Sequence, residues 1–529
     1  MKASQGLEVE KKYDVDDDAA VPPLDVLPGV GRVGEPQAAE LTAVYFDTDR
    51  HALASRRITL RRRTGGSDAG WHLKLPPQAS SSGGPEPQQR RELHAPLGQA
   101  DVVPDSLLAY VQAFLRGADV APVVRLKTQR TTHALYGGDG THLADLADDR
   151  VTAERLRPDA KGKKRKRKWR EWELELVHGD TGLFYPAEML LIEAGARHAG
   201  HASKLAKALG LSTQEKAETT SQGGDAEENA PVLLAGKKAP AAAVVTVYVG
   251  AQVDLLLARD AAVRLEEPEA VHDMRSATRR IRSALAAYRK LYRQVPVRRL
   301  RDELKWLGRL LGEPRDAEVL QGHLRGHLDE LPPGEGTDAA RSRVEQQSGA
   351  TFDAGYRRLQ EALQSDRYFR LLDSLEDFRN NPPVHTRAVA PGRKAAAKAV
   401  DKAAKRLRRS HKAAARARTG RDHEDALHQV RKDAKRLRHV AESAAMVTGK
   451  RAGKVAKAAH RQQKILGDHH DAVIARNLLA GLHSDPDGPP AAEAYDALLS
   501  RQDELMAAAE AKYRKARKKS RSLLRRGVS

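Results

Sequence analysis

The 529-residue chain contains no cysteine. That removes disulfides, thiolate zinc sites, iron–sulfur clusters and thiol nucleophiles together. Aromatic residues make up only 4% of the chain, too few for a surface built on base stacking. The first residues, MKASQGLEVEKKYDVDDD, lack the apolar core of a signal peptide. The longest uncharged apolar stretch, Ala239–Val253, is shorter than the roughly 18–20 residues a membrane span needs. The expectation is a soluble, cytoplasmic protein with no membrane partner. What is abundant is positive charge: 92 Lys+Arg against 71 Asp+Glu, a formal +21. Such a balance predicts a polyanionic partner without saying which one.

The chain changes character near residue 211. Before it, turn signals such as Pro22-Pro23, Gly65-Gly66, Pro76-Pro77 and Gly137-Gly138 separate short runs with period-2 alternation, which read as strands. Segment 211–238 is polar, Gly-containing and poor in large apolar residues, a linker composition. From about 240 onward the pattern is rich in Ala, Leu, Arg and Lys with a 3.6-residue period. The predicted fold class is α+β multidomain: a strand domain over 5–210, a linker over 211–238 and an all-helical domain over 240–520. Two low-complexity runs, Ser80–Pro87 and Lys161–Lys168, are expected to be solvated hairpin loops.

The strand half carries charge at every second position. Glu8, Glu10 and Lys12 share one face, opposite Leu7 and Val9. Arg61 and Arg63 alternate with Leu60, Lys74 with Leu73 and Leu75, and Arg125 and Lys127 with Val124 and Leu126. Glu171, Glu173 and Glu175 alternate with Trp172, Leu174 and Leu176. Acids thus collect on two strands and bases on three. A sheet closed into a barrel accounts for this if apolar residues face outward under helices and charged ones line the interior. The acidic strands would offer the carboxylate oxygens that Mg²⁺ or Mn²⁺ requires, and the basic strands would hold a chain of phosphates. Together they describe phosphoanhydride hydrolysis.

The ordered set Glu8-x-Glu10-x-Lys12, Tyr45-Phe46-Asp47-Thr48, Leu60-Arg61-Arg62-Arg63, Trp71-His72-Leu73-Lys74-Leu75, Trp169–Leu176 and Ser203-Lys204-Leu205 resembles the CYTH family of triphosphate tunnel metalloenzymes. The resemblance covers roughly residues 5–210. It implies an eight-stranded antiparallel tunnel with flanking helices. It also implies divalent-metal-dependent hydrolysis of inorganic triphosphate or thiamine triphosphate, or cyclisation of ATP. Catalytic roles fall on Glu8, Glu10, Lys12, Glu171 and Glu173, metal roles on the four glutamates among them, and phosphate roles on Lys12, Arg61, Arg63, Lys74, Arg125 and Lys127. Asp145 and Asp148 fall where the family has a further acidic strand end. Glu175 reads either as a third ligand or as a solvated end residue.

The helical half contains a repeat. His272-x-x-Arg275-x-x-x-Arg279-Arg280-x-Arg282 returns as His428-x-x-Arg431-x-x-x-Lys435-Arg436-x-Arg438. Behind each lies a second shared element, Leu311–Asp316 and Leu466–Asp471. At 100° per residue His272, Arg275, Arg279 and Arg282 fall on one helix stripe, backed by Met274, Ala277, Ile281 and Leu285. Further cationic stripes carry Lys398 and Lys405, and Lys454 and Lys457. Residues 392–476 hold 24 Lys+Arg and 8 Asp+Glu, a self-repulsion that an anion would relieve. Basic grooves without aromatics suit a polymer of phosphate better than a nucleic acid. Asp316 and Asp471 are expected to cap helices or orient arginines, and His469-His470-Asp471 to diverge around its helix.

This duplicated pattern resembles the CHAD family (conserved histidine α-helical domain). The resemblance implies paired four-helix bundles, here about 240–380 and 390–520, binding inorganic polyphosphate. Polyphosphate-binding roles fall on His272, Arg275, Arg279, Arg280, Arg282, His428, Arg431, Lys435, Arg436 and Arg438, with Lys398, Lys405, Lys454 and Lys457 from the added stripes. The expected function is metal-dependent hydrolysis of inorganic triphosphate or short polyphosphate, coupled to polyphosphate binding and placed in the cytoplasm or on polyphosphate granules. Thiamine triphosphatase activity, adenylate cyclase activity and a non-catalytic polyphosphate scaffold are the alternatives. No nucleic-acid or protein partner is expected.

Overall fold

The computed structural model describes residues 4–76, 88–157, 165–211, 239–385, 391–417, 420–485, 491–526 and 528. The linker segment from 212, the Ser80–Pro87 run and residues 161–164 of the basic run lie outside these. The rest of the basic run begins strand β9 at Lys166, so it is not wholly loop; Lys166–Lys168 are exposed there. The chain divides into two compact units, Met1–Ala226 and Glu227–Ser529.

Ten strands build the first unit: β1 (Ser4–Val15), β2 (Val30–Val33), β3 (Gln37–Asp47), β4 (Thr59–Thr64), β5 (Gly70–Leu75), β6 (Gln88–Ala95), β7 (Ala121–Gly137), β8 (His142–Arg155), β9 (Lys166–Leu176) and β10 (Arg197–His198). Eight pair antiparallel in the order β1-β6-β5-β4-β3-β7-β8-β9, and β9 returns to β1, so the sheet closes into a barrel. Short β2 pairs with β7, and β10 with β1. Helices α1 (Asp105–Leu108), α2 (Gln112–Leu115), α3 (Phe184–Glu193) and α4 (Lys204–Leu209) accompany it.

Alternation decides the packing. Outward Leu60, Trp71, Leu73 and Leu93 pack under α1 and α2, and outward Tyr13, Trp172 and Leu174 pack under α3. On β7 and β8 the rule reverses. Val124, Leu126, Val151 and Ala153 pack with Leu205, Ala208 and Leu209 of α4, and with Tyr45. Tyr45 also lines the polar cavity inside the barrel, so α4 closes that end of the interior with an apolar plug. Ser203 starts this helix by accepting a hydrogen bond from the Ala206 amide at 3.1 Å, and left-handed Gly210 (φ 68°) ends it.

The second unit is helical: α5 (Ala241–Arg264), α6 (Ala270–Ala287), α7 (Gln294–Leu310), α8 (Gly312–Leu328), α9 (Glu335–Leu363), α10 (Asp366–Asn380), α11 (Gly392–Ala414), α12 (Arg421–Thr448), α13 (Lys450–His483) and α14 (Ala492–Arg525). Helix α5 is long and apolar enough to cross a membrane by length and composition alone. Here Val249, Val253, Leu256 and Val263 are fully buried within the helical unit. The two copies start side by side: Pro240 and Pro391 form an antiparallel bridge, and the Gly392 amide donates to the Ala239 carbonyl at 2.8 Å. A Cβ at Gly392 would stand 2.9 Å from that carbonyl oxygen, so glycine permits the approach. Helices α11–α14 enclose one core through Val400, Leu407, Val430, Leu437, Val455, Leu466 and Leu524. The distal halves of α13 and α14 then pack on α8 and α9 through Leu479, Leu498, Leu324 and Val344.

Candidate active site and cationic cluster

The barrel holds a polar cavity of about 90 Å³. Glu8, Glu10, Lys12, Arg61, Arg63, Lys74 and Glu173 line it together. Register explains the meeting: Lys12 stands opposite Glu173, Glu10 opposite Glu175, and Glu8 opposite Arg90. Paired residues on antiparallel strands share a face.

Lys12 bonds Glu10 at 2.6 Å and also Glu173, while Lys74 bonds Glu8. Burial pushes the Glu10 carboxyl upward, but Lys12 and Lys74 outweigh it and hold the group below the ordinary value. Burial likewise opposes charge on Lys12, yet Glu10 and Glu173 keep its ammonium above its usual range. Arg63 has less help: burial, Arg61 and Arg130 pull it down to about 9. Such a cation gains from any phosphate oxygen that enters.

Arg125 and Lys127 are not in the cavity. Both are exposed, and Arg125 lies 3.7 Å from Glu154. The expectation took every apolar strand face as outward, whereas on β7 the apolar face meets the α4 plug inside. The inward cation of β7 is Arg130, which grips Asp149 through two bonds of 2.7 and 2.6 Å and Glu173 at 2.8 Å. Asp149 is likewise the inward acid of β8. Asp148 is held by Arg170 at 2.8 Å, and Asp145 bonds His142 at 2.8 Å. Glu175 lines the cavity rather than ending in solvent; burial and then Glu8 push its carboxyl up to about 7.

Asp149, Glu171 and Glu173 are all buried, each with an oxygen within 4.8 Å of the others. Lys204 stands among them, at 3.0, 2.7 and 2.6 Å respectively. Burial opposes its charge, but these acids hold its pKa well above normal. The acids therefore already surround a positive charge, as ligands of a hard cation must. One oxygen each of Glu8 and Glu10 is buried without a hydrogen-bond partner, leaving further acceptors for such an ion. The donor set fits a divalent metal. Ser203-Lys204-Leu205 stood among the sequence motifs, but no spacing rule ties it to β9.

In the helical unit, Arg275 meets Asp316 through two bonds of 2.7 and 2.9 Å, so this acid orients an arginine. In the second copy Arg431 and Asp471 attract each other. Arg279 and Lys435, one from each copy, face the same field. Burial, then Arg279, Arg431 and Arg275, push Lys435 down to about 6. Burial and Arg275 lower Arg279 to about 10. The Nε atoms of Arg275 and Arg431 and Nδ1 of His428 are buried without hydrogen-bond partners. His470 packs against His428 with tilted rings 4.4 Å apart, while His469 turns toward Glu510 at 3.7 Å, the divergence expected of neighbours on a helix.

The remaining predicted residues divide by place. His272 is exposed at the start of α6. Arg280 reaches Gln252 at 3.4 Å and Arg438 holds Glu442 at 2.7 Å. Arg282 faces Arg301, and Arg436 holds Asp433 at 2.9 Å. Lys398, Lys405, Lys454 and Lys457 are exposed on α11 and α13, with no ion pair among the described residues. They extend the cationic surface outward.

The CYTH domain family matches residues 6–182, and the CHAD domain family matches residues 247–480. An uncharacterized protein of Mycobacterium tuberculosis, matched in two strains, is 39% identical over 492 residues, 90% of this chain and 89% of its own. Among solved structures, PptA from Streptomyces chartreusis aligns at 22% identity over 52% of this chain and 99% of its own, TM-score 0.45. The CHAD domain from the plant Ricinus communis aligns at 26% identity over 55% and 93%, TM-score 0.43. The chain belongs to the family of proteins that join a CYTH tunnel domain to a CHAD domain.

Proposed function

We propose that the barrel hydrolyses inorganic triphosphate, or short polyphosphate, with Mg²⁺ or Mn²⁺, and that the helical unit binds inorganic polyphosphate. The observation that carries the reading is the facing of two sets in one cavity: acids at Glu8, Glu10, Glu173 and Glu175, and cations at Lys12, Arg61, Arg63, Lys74 and Arg130, with Glu171 joined to them behind the lining through Lys204 at 2.7 Å. Asp149, Glu171 and Glu173, with Glu8 and Glu10 beside them, would hold the ion. Bound there, it neutralises charge on phosphate oxygens and acidifies water. The cations hold the phosphate chain in line, Arg by paired donors and Lys as a point charge. Glu175, near 7, can exchange a proton with water at neutral pH. Water enters and phosphate leaves, giving diphosphate from triphosphate.

In the helical unit the unpartnered Nε donors of Arg275 and Arg431, the unpartnered Nδ1 of His428, and the mutual repulsion of Arg279 and Lys435 support a phosphate polymer as ligand. It would concentrate substrate, or place the enzyme on cytoplasmic polyphosphate granules. The test is phosphate release from triphosphate by the full chain with Mg²⁺ and with Mn²⁺, beside ATP and thiamine triphosphate. Glu10→Gln and Glu173→Gln should each lower triphosphate turnover at least a hundredfold. Near-wild-type turnover in both variants, or faster ATP cyclisation or thiamine triphosphate hydrolysis, would sink the triphosphatase reading.

A further inference from the structure

The two copies of the helical repeat differ in one respect that the shared motif does not explain. Helix α5 opens the first copy and α11 the second, each behind its bridging proline. The charged residues of α5 are Asp254, Arg259, Asp260 and Arg264, and all are paired: Asp254 with Arg379 at 2.6 Å, Arg259 with Asp273 at 3.0 Å, and Arg264 with Asp260 at 2.6 Å. Helix α11 has nine Lys+Arg and one acid, Asp401, whose Oδ1 accepts from the Val528 amide at 2.8 Å.

Seven cations fall on one line: Lys394, Lys398, Lys402, Lys405, Arg409, Lys412 and, just past the helix end, Arg416. At 100° per residue they span an arc of about 80° and a length of about 33 Å. All are exposed, and none forms an ion pair among the described residues. The opposite side, Val400, Ala403, Leu407 and Ala414, enters the core, so the line faces away from it. The end of α14 lies alongside: Arg408 bonds the Leu524 carbonyl, and the His411 and Tyr513 rings are 6.0 Å apart. It adds exposed Arg514, Lys518, Arg521 and Arg525, and residues 511–526 contain no acid.

We propose that this exposed face of α11 and the end of α14 binds the phosphate backbone of duplex nucleic acid without sequence preference. Its length matches one turn of a duplex, about 34 Å. Two cationic helices side by side lie about 8–10 Å apart, a spacing that suits the two phosphate rows flanking a groove of about 6–12 Å. A thin single chain would instead need cations closing around it. The scarcity of aromatics argues against stacked single strands, but backbone binding to a duplex needs none. Lysines predominate on α11, giving point charges rather than base-reading forks.

The test uses the full chain with a labelled 30-base-pair duplex of arbitrary sequence, followed by fluorescence anisotropy from 50 to 200 mM salt. The variant Lys402→Gln/Arg409→Gln/Lys412→Gln removes three exposed charges and should keep its helical circular dichroism. Duplex affinity should fall at least tenfold at 100 mM salt, and the log–log salt slope should lessen by about 2.7. The variant Arg279→Gln/Lys435→Gln should leave duplex affinity within twofold while weakening long-chain polyphosphate. The proposal is overturned if wild type fails to bind the duplex at 50 mM salt, or if the triple variant binds it unchanged. It is also overturned if the triple variant loses polyphosphate and duplex equally, which would make the face a general polyphosphate surface. A failure here leaves triphosphate turnover untouched, so it is separable from failure of the tunnel reading.

Discussion

Arg130 and Asp149 face each other across β7 and β8 as a two-bond pair inside the barrel, with Asp149 fully buried. Asp149 also lies 3.0 Å from Lys204. Replacing it by alanine leaves two interior cations short of a partner. Asp149→Ala should destabilise the barrel by about 3 kcal/mol, the scale for breaking a buried pair. A shift in the urea midpoint would measure this, and an unchanged midpoint would contradict the geometry.

The two faces of β7 give a sharper contrast. Arg130→Ala should reduce triphosphate turnover at least a hundredfold. Arg125→Ala/Lys127→Ala should stay within about twofold of wild type, because both side chains are exposed. Equal losses in the two variants would place the outer face in the chemistry.

That contrast also marks where the sequence could be read and where it could not. The closed barrel was legible because charges alternate on β1, β4, β5 and β9, and the resulting Glu8, Glu10, Lys12 and Glu173 do share a cavity. On β7 alternation alone is symmetric: either Arg125 and Lys127 or Val124 and Leu126 could face inward. What breaks the tie is α4, some eighty residues later, whose Leu205 and Ala208 fill that end of the interior. Lys204 arrives with the same helix. In the helical unit the repeat located Arg275 and Arg431, but their partners depend on how α8 and α13 pack.

Acid and alkali should unfold the barrel from opposite sides. Folding depresses Glu10, Asp149 and Glu173, where burial is outweighed by neighbouring cations. Their contribution is present above about pH 4 and is lost as pH falls through the folded values. Folding raises Lys12 and Lys204, whose contribution is present below about pH 10.4 and lost as pH rises through their folded values. Thermal melts across pH should show a broad plateau between these limits. In Glu173→Gln the acid limb should be shallower.

Lys435 titrates in the opposite sense. With its folded value near 6, the unfolded chain holds the extra proton between about pH 6 and 10.4, so the free helical unit gains stability as pH rises through that window. A polyanion restores the charge. Polyphosphate binding at pH 7.5 should therefore take up about one proton, read as a buffer-dependent binding enthalpy in calorimetry. Lys435→Met should abolish most of the uptake, and no difference between buffers in wild type would contradict the assignment.

The position of Lys204 separates assembly from activation. Small metal-built domains fold only when their ion arrives, because bare ligands repel each other. Here Asp149, Glu171 and Glu173 carry an internal counter-ion supplied by the chain itself. A chelator should then silence turnover while leaving the melting temperature of the barrel in place. On the reading proposed above, the barrel folds and persists through scarcity of divalent ions, and turnover resumes when they return.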